Sequence, residues 1–364
     1  MKKALNIAFL GTRGIPNTYG GFEQCAEFLG KGLVEKGHQV TVYNSSNHSY
    51  QLPSWNGVNL IHCNDPEDKL GTIGQFIYDL NCIRHARHQD YDVIIQFGYT
   101  SSSIWNWLWP KQSSHIVNMD GLEFQRDKYV PITKRYLKLA ERWATFRASA
   151  LVADNIGIQN YLKQRFPSKE IRFISYGADI PSPSENNESI LSELKLSPNS
   201  FDLIICRMEP ENSVETMLQA QKASGSNRLL VVVGNTSNAY GQKLLDQYSG
   251  ANIIFTQGIY DIHALNALRN NCRFYLHGHT VGGTNPSLLE AMANAHSIVA
   301  HDNEFNRSVL GENASYFSKT QDLSTLLSRS EVVSNLAQTR EVIRQNHNWN
   351  HIINKYEAIC YEVV

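Results

Sequence analysis

The residues from His277 to Ala293, HGHTVGGTNPSLLEAMA, combine the parts of an anion site. Gly282 and Gly283 free the backbone to turn tightly and present bare N–H groups. Asn285 suits an N-cap and Pro286 the first helical position, so a helix is predicted to start there. Unpaired N–H groups and the helix dipole would then both point at a ligand in the glycine turn. Glu290 follows Pro286 by one turn on the same face. A carboxylate there can accept hydrogen bonds from hydroxyls, for instance those of a ribose beside bound phosphates. The competing reading is a glycine turn before an ordinary buried helix, with Glu290 solvated.

A second glycine-bearing loop, GTRGIPNTYGG, runs from Gly11 to Gly21. It fails as a dinucleotide fingerprint, because Gly11 and Gly14 are spaced G-x-x-G. The next strand also ends at Tyr43-Asn44, without an acid for a ribose diol. An NAD-dependent oxidoreductase is therefore disfavoured. Gly20, Gly21 and Arg13 still suit a diphosphate or a sugar close to backbone, against the alternative of a flexible loop. Arg207 stands just past a predicted strand, placed either for bidentate phosphate contact or for a salt bridge to Glu209 or Glu211. His277 and His279 lack a third ligand at metal-binding spacing, and no D-x-D pair suits Mg²⁺, so no metal is expected.

The elements that must position these groups alternate in type. Leu5–Leu10 is a continuous apolar strand, Phe22–Lys36 an amphipathic helix and Gln39–Tyr43 a second strand, which opens a parallel sheet. Strands at 58–62, 93–97, 115–119, 150–153 and 172–174 and a helix at 74–88 continue the pattern. The polar segment Pro181–Ser200 is the candidate linker. A second alternation follows, with strands at 201–206, 229–233, 253–256 and 297–301 and helices at 213–224 and 305–310. The prediction is an α/β protein of two doubly wound, Rossmann-like halves facing across a cleft.

The chain of 364 residues is 42% hydrophobic and 18% charged, an ordinary globular composition with room for two domains. Its net charge of −1 gives no electrostatic argument for nucleic acid. Six scattered cysteines read as reduced, buried thiols in a cytosolic protein. The start MKKALNIAFLG reads as a first strand rather than a signal peptide, and no window holds the ~18 apolar residues of a spanning helix.

GGFEQCAEFLGKGLVEKGHQVTVY, ISYGAD, Arg207 with EPEN, and GGTNPSLLEAMA occur in an order resembling a GT-B retaining glycosyltransferase of the family 4 kind, over nearly the whole chain. GTRGIPNTYGGFE, VNMDGLEFQR and HGHTVGGTNPSLLEAMA resemble a narrower subgroup, which includes bacterial rhamnosyltransferases of capsule, O-antigen and cell-wall polysaccharide assembly. The resemblance implies residues 1–180, with the C-terminal helix 346–364 packed back on them, as the acceptor-binding domain. Residues 181–345 would be the nucleotide-sugar domain. Gly20 and Gly21 would lie near the donor's diphosphate and sugar. Arg207 would neutralise the diphosphate, and Glu290, as the second glutamate of E-x7-E, would bind the ribose.

Two positions depart from the family pattern. Asn212 stands in place of a lysine, and Gly282 in place of the first glutamate. Sugar contacts would then come from backbone N–H groups at Gly282 and Gly283, or from His277, His279, Thr284 or Asn285, which fits a donor without a 6-hydroxyl. Asp120 would orient or deprotonate the acceptor hydroxyl, or else cap its own turn. Glu123, Arg126 and Arg13 would line the acceptor side.

The implied reaction moves L-rhamnose from dTDP-L-rhamnose to a lipid-linked saccharide, with retention and with no cofactor beyond the nucleotide sugar. Alternatives are a UDP- or GDP-hexose donor, a non-catalytic sugar-nucleotide-binding or scaffold protein, and a GT-B epimerase. Lys128–Arg147 carries six cations against Glu141, with Leu137, Leu139, Ala140, Trp143 and Phe146 as apolar surface, near the IWNWLW of Ile104–Trp109. A basic amphipathic helix of this kind suggests docking on the inner face of the cytoplasmic membrane. The competing reading is a solvated face and a core aromatic cluster.

Overall fold

The computed structural model describes residues 3–18, 20–119, 121–126, 129–182, 189–250, 252–329 and 333–364. Asp120 and Lys128 lie outside the described residues. The chain divides into two compact units. The first comprises Met1–Gln125, Tyr129–Tyr176 and Trp349–Val364, and the second Gly177–Asn348 together with Arg126–Lys128. The division at Tyr176 and Gly177 precedes the polar segment expected to link the halves. Part of that segment instead forms the short helix Ser189–Glu193, and Leu191 and Leu196 are buried.

The first unit is built on eight strands: β1 (Asn6–Leu10), β2 (Gln39–Ser45), β3 (Ser54–Trp55), β4 (Val58–Cys63), β5 (Val93–Phe97), β6 (Ser114–Asn118), β7 (Ala150–Ala153) and β8 (Ile171–Phe173). Their order is β3-β4-β2-β1-β5-β6-β7-β8. All pairs are parallel except β3 with β4. That hairpin turns on Asn56 and Gly57, both at positive φ, and so uses the Asn-Gly signal of a tight turn, a cue that the strand pattern alone passed over.

The central strands read as unbroken apolar runs because helices cover both faces of a parallel sheet. Ile7, Ala8, Phe9, Val93 and Ile95 are fully buried. The helix Gly21–Glu35 turns Cys25, Ala26, Leu29 and Leu33 inward. The final helix, Trp349–Val363, lies against it. Trp349 stacks on Phe28 at 4.3 Å, and a Cβ on Gly32 would stand 2.3 Å from Ile353 Cδ1.

The second unit holds β9 (Phe201–Ile205), β10 (Leu229–Val233), β11 (Ile253–Thr256), β12 (Tyr275–His277), β13 (Ile298–His301) and β14 (Ser315–Phe317). The order is β11-β10-β9-β12-β13-β14, parallel throughout. The chain thus has an α/β fold of two Rossmann-like domains.

Inside this unit the Asp202 carboxylate, fully buried at the start of β9, receives Arg273 Nε at 2.8 Å and Nη2 at 2.5 Å. Arg273 also donates to the carbonyls of Arg329 and Leu327. Removing one partner would leave a desolvated charge. Asp202→Ala should therefore lower stability by roughly 3–5 kcal/mol in urea unfolding. A loss below about 1 kcal/mol would show that the pair does not brace this sheet.

Candidate functional site

In a parallel doubly wound sheet, ligands bind beyond the carboxyl ends of the strands. β9 and β12 are neighbours, so their outgoing loops share one edge of the second unit. Arg207 leaves β9 as an exposed side chain and, among the described residues, has no ion-pair partner. The salt bridge to Glu209 or Glu211 is thus not formed. Glu211 pairs with Arg126 instead, at 3.2 Å. Asn212 donates its side-chain N–H to the Arg207 carbonyl at 2.7 Å, so its amide braces the turn.

The loop after β12 is held against this turn. A Cβ on Gly278 would stand 2.1 Å from the Asn212 carbonyl oxygen, so only glycine permits the approach. The N–H and hydroxyl of Thr280 both donate to the Glu211 carbonyl at 2.9 Å. Asn303 and Asn306, which sequence reasoning missed, donate to the His279 carbonyl at 2.8 and 3.0 Å. Gly282 sits at φ +134°, a conformation open to glycine, while the space beside it is uncrowded. Among the described residues, no hydrogen bond uses the N–H of Gly282 or Gly283.

The helix Pro286–Asn294 begins where expected. The Asn285 side chain accepts the Ser287 N–H at 2.8 Å, and Pro286 takes the first position. Asn285 also contacts His279 Nδ1 at 3.2 Å, and Thr284 is buried. Capping spends the first available helix donor, so the free N–H groups lie in the glycine turn rather than in the helix itself. Glu290 accepts Arg269 Nη2 at 2.5 Å. Arg269 is fully buried and carries no sequence signal beyond a charge in an apolar helix. It holds the carboxylate in place.

Tyr275, His277 and His279 alternate along β12 and into the loop that leaves it, and stack at 6.4 and 5.7 Å. Desolvation, and then His301, push His277 down to about 3. Desolvation, followed by the charges of His277, Arg126 and Arg207, holds His279 well below its ordinary value. His277 Nε2 and Asn212 Oδ1 are buried and make no hydrogen bond among the described residues. This edge therefore offers one exposed guanidinium, bare backbone donors, and two neutral imidazoles, of which His277 has an unsatisfied ring nitrogen. The combination suits a phosphate-bearing ligand. No group of three or more His, Cys, Asp or Glu side chains among the described residues is arranged to hold a metal ion.

The first unit carries the other expected residues. Gly20 caps the helix that starts at Gly21, with extended backbone. Glu23, buried and unremarked in the sequence reading, accepts the Arg13 N–H at 2.8 Å. Arg13 itself is held by Glu67, through Nη2 at 2.8 Å and Nε at 3.2 Å, so its guanidinium is already neutralised. Glu123 is buried, with the Tyr129 hydroxyl at 3.5 Å. Arg126, expected beside Glu123, is grouped with the second unit through Glu211. Burial pushes Asp79 up to about 7 against a hydrogen bond from Ser101, which local sequence could not reveal.

Residues 4–179 match a family described as a domain of unknown function, DUF1972, and residues 193–348 match glycosyl transferases group 1. No curated protein matches the chain in sequence. Sucrose-phosphate synthase from Thermosynechococcus elongatus is similar in structure, with TM-score 0.77 and 16% identity over 99% of each chain. Anabaena HepE in complex with UDP-glucose gives TM-score 0.76 and 15% identity over 98% of this chain and 100% of that one. The trehalose 6-phosphate synthase of Burkholderia multivorans gives 0.75 and 10%, over 99% and 97%. The match to glycosyl transferases group 1 falls within the second unit, and the likeness to these structures shows the GT-B fold.

Burial of neutral His277 has a testable sign. Its folded value lies below the ordinary 6.5, so between about pH 6.5 and 3 the unfolded chain binds the extra proton. That contribution to stability is complete above pH 6.5 and is lost as the pH falls. Over that window His277→Gln should flatten the fall in stability by about 1.4 kcal/mol per pH unit, read from urea midpoints. An unchanged slope would mean that His277 titrates normally.

Proposed function

We propose that the chain is a retaining glycosyltransferase acting on a nucleotide-diphosphate sugar, with dTDP-L-rhamnose as donor and a lipid-linked saccharide as acceptor. The observation that carries this reading is the meeting of exposed, unpaired Arg207 with the glycine turn at one strand-end edge, inside the segment that matches glycosyl transferases group 1. On this reading the second unit takes the nucleotide sugar and the first the acceptor. Arg207 and the N–H groups of Gly282 and Gly283 meet the diphosphate charge, and Glu290, aligned by Arg269, accepts ribose hydroxyls. The enzyme would work in the cytoplasm, at the inner face of the membrane.

The acceptor oxygen would attack the anomeric carbon from the face that the diphosphate leaves. The C–O bond to the diphosphate breaks as the new glycosidic bond forms, and the acceptor proton passes to the departing diphosphate oxygen. Charge grows on that diphosphate in the transition state, where fixed donors stabilise it most. Asn212 and Gly282 remove a cation and a carboxylate from the pattern that the sequence resembles. Their absence supports a less polar, deoxy sugar. A UDP-hexose donor is the second reading, and it draws on the UDP-glucose held by HepE.

The purified chain should be melted against dTDP, UDP, GDP and ADP, with and without Mg²⁺. A ligand at one hundred times its Kd adds about 2.7 kcal/mol. The expected result is stabilisation by dTDP above the others, unaffected by Mg²⁺ and lost in Glu290→Ala. Arg207→Ala should lower kcat by roughly 10²–10³-fold while leaving the melting temperature of the free protein unchanged. A UDP preference would replace the donor. No shift with any nucleotide would sink the transferase reading in favour of a scaffold, and donor consumption without acceptor would point to an epimerase.

A further inference from the structure

The helix Pro131–Arg147 packs Leu137, Ala140, Ala144 and Thr145 inward. Its outer side is unlike that of a solvated helix. Ile132, Leu139 and Phe146 are 76%, 49% and 77% exposed. They recur every seven residues, two helical turns, and so form one line along the helix. Leu137 and Ala140, read from the sequence as part of the apolar surface, belong instead to the core, whereas Ile132 joins the outer line. Arg135, Lys138 and Arg142 are exposed along the same side. Arg135 and Arg142 have no ion-pair partner among the described residues.

The one acid of the helix does not oppose them. Glu141 is 1% exposed and accepts Arg165 Nε at 2.5 Å and the Tyr161 hydroxyl at 3.2 Å. The 3-10 turn Ser103–Leu108 sits beside the helix, joined by Asn106 Nδ2 donating to the Trp143 carbonyl at 3.0 Å. Of the tryptophans there, Trp109 is buried and Trp105 donates to the Phe76 carbonyl, but Trp107 is 66% exposed.

From these placements we infer that this face docks on an anionic lipid surface. The inference rests on the lipid-linked acceptor proposed above and names the surface from which that acceptor is reached. Single exposed apolar residues are ordinary, but a line of three with flanking cations matches a helix lying in a bilayer interface. Ile132, Leu139 and Phe146 enter the acyl boundary, while arginine and lysine stems carry their charges back to the headgroups. Trp107 adds an interfacial ring. Charge decides against a second copy of the chain as occupant. Across a two-fold axis the same cations would face one another with no carboxylate between them.

The test is flotation of the full chain with vesicles of phosphatidylglycerol and phosphatidylcholine, against phosphatidylcholine alone. Binding is expected only with the anionic lipid and should weaken with salt. Each cation contributes roughly fivefold, so Arg135→Gln with Arg142→Gln should weaken binding at least tenfold. Ile132→Ser with Phe146→Ser should abolish it. All four positions are exposed, and both double variants should keep the wild-type melting temperature and nucleotide-induced shift. Equal binding to neutral vesicles, wild-type binding by either variant, or no binding at all would overturn the inference. So would a dimer in light scattering that Phe146→Ser dissolves without any vesicle binding. A retained nucleotide shift beside failed flotation would leave the proposed enzyme standing, and the reverse pair of results would remove the enzyme and keep the surface.

Discussion

The candidate site depends on a close approach of two backbones. Gly278, just past β12, lies where any side chain would strike the Asn212 carbonyl oxygen, 2.1 Å from the position of its Cβ. The contact lets Thr280 place both donors on the Glu211 carbonyl and draws the loop after β12 onto the turn after β9. Arg207 and the glycine turn acquire a fixed relation in this way, although Gly282 lies 75 residues beyond Arg207 in sequence. A turn held by hydrogen bonds of about 1 kcal/mol each needs several of them, and Asn303 and Asn306 supply two more at His279.

The same packing sets the electrostatics. Glu211 is spent on Arg126 and Glu290 on Arg269, so these two acids are already compensated. Arg207 is left uncompensated, and burial keeps His277 and His279 neutral. On the proposed reading, a cation and backbone donors fixed before ligand arrives would stabilise growing negative charge without reorganisation. The neutral histidines contribute shape and hydrogen bonding rather than charge. Asn212 belongs to the same logic, since its amide is used on backbone and leaves the cationic role to Arg207.

The outer helix of the first unit shows a different use of charge. Internalising Glu141 removes the only carboxylate from a basic helix and leaves only cations among the charges on its exposed side. A buried glutamate held by Arg165 and Tyr161 is costly to desolvate, and it is placed where it cannot soften the surface field.

Much of the fold is legible in the sequence, because a strand covered on both faces must be apolar along its whole length. The runs at 93–97, 150–153, 229–233 and 253–256 could be read directly, as could the start of the helix at Pro286 from Asn285 and the proline. β12 was harder, because it ends in a buried histidine, and β3 and β14 are too short for any periodicity to register. The sequence by itself determined the residue types at the site and the order of elements that brings them to strand ends, since both follow from local pattern. Only the tertiary structure decided which charges stay free. Arg13 is neutralised by Glu67, 54 residues away, and Glu290 by Arg269, 21 residues away. Packing likewise turned Leu137 inward and Phe146 outward on one helix. Charge pairing and exposure are set by what lies across a contact, and no window along the chain contains that partner.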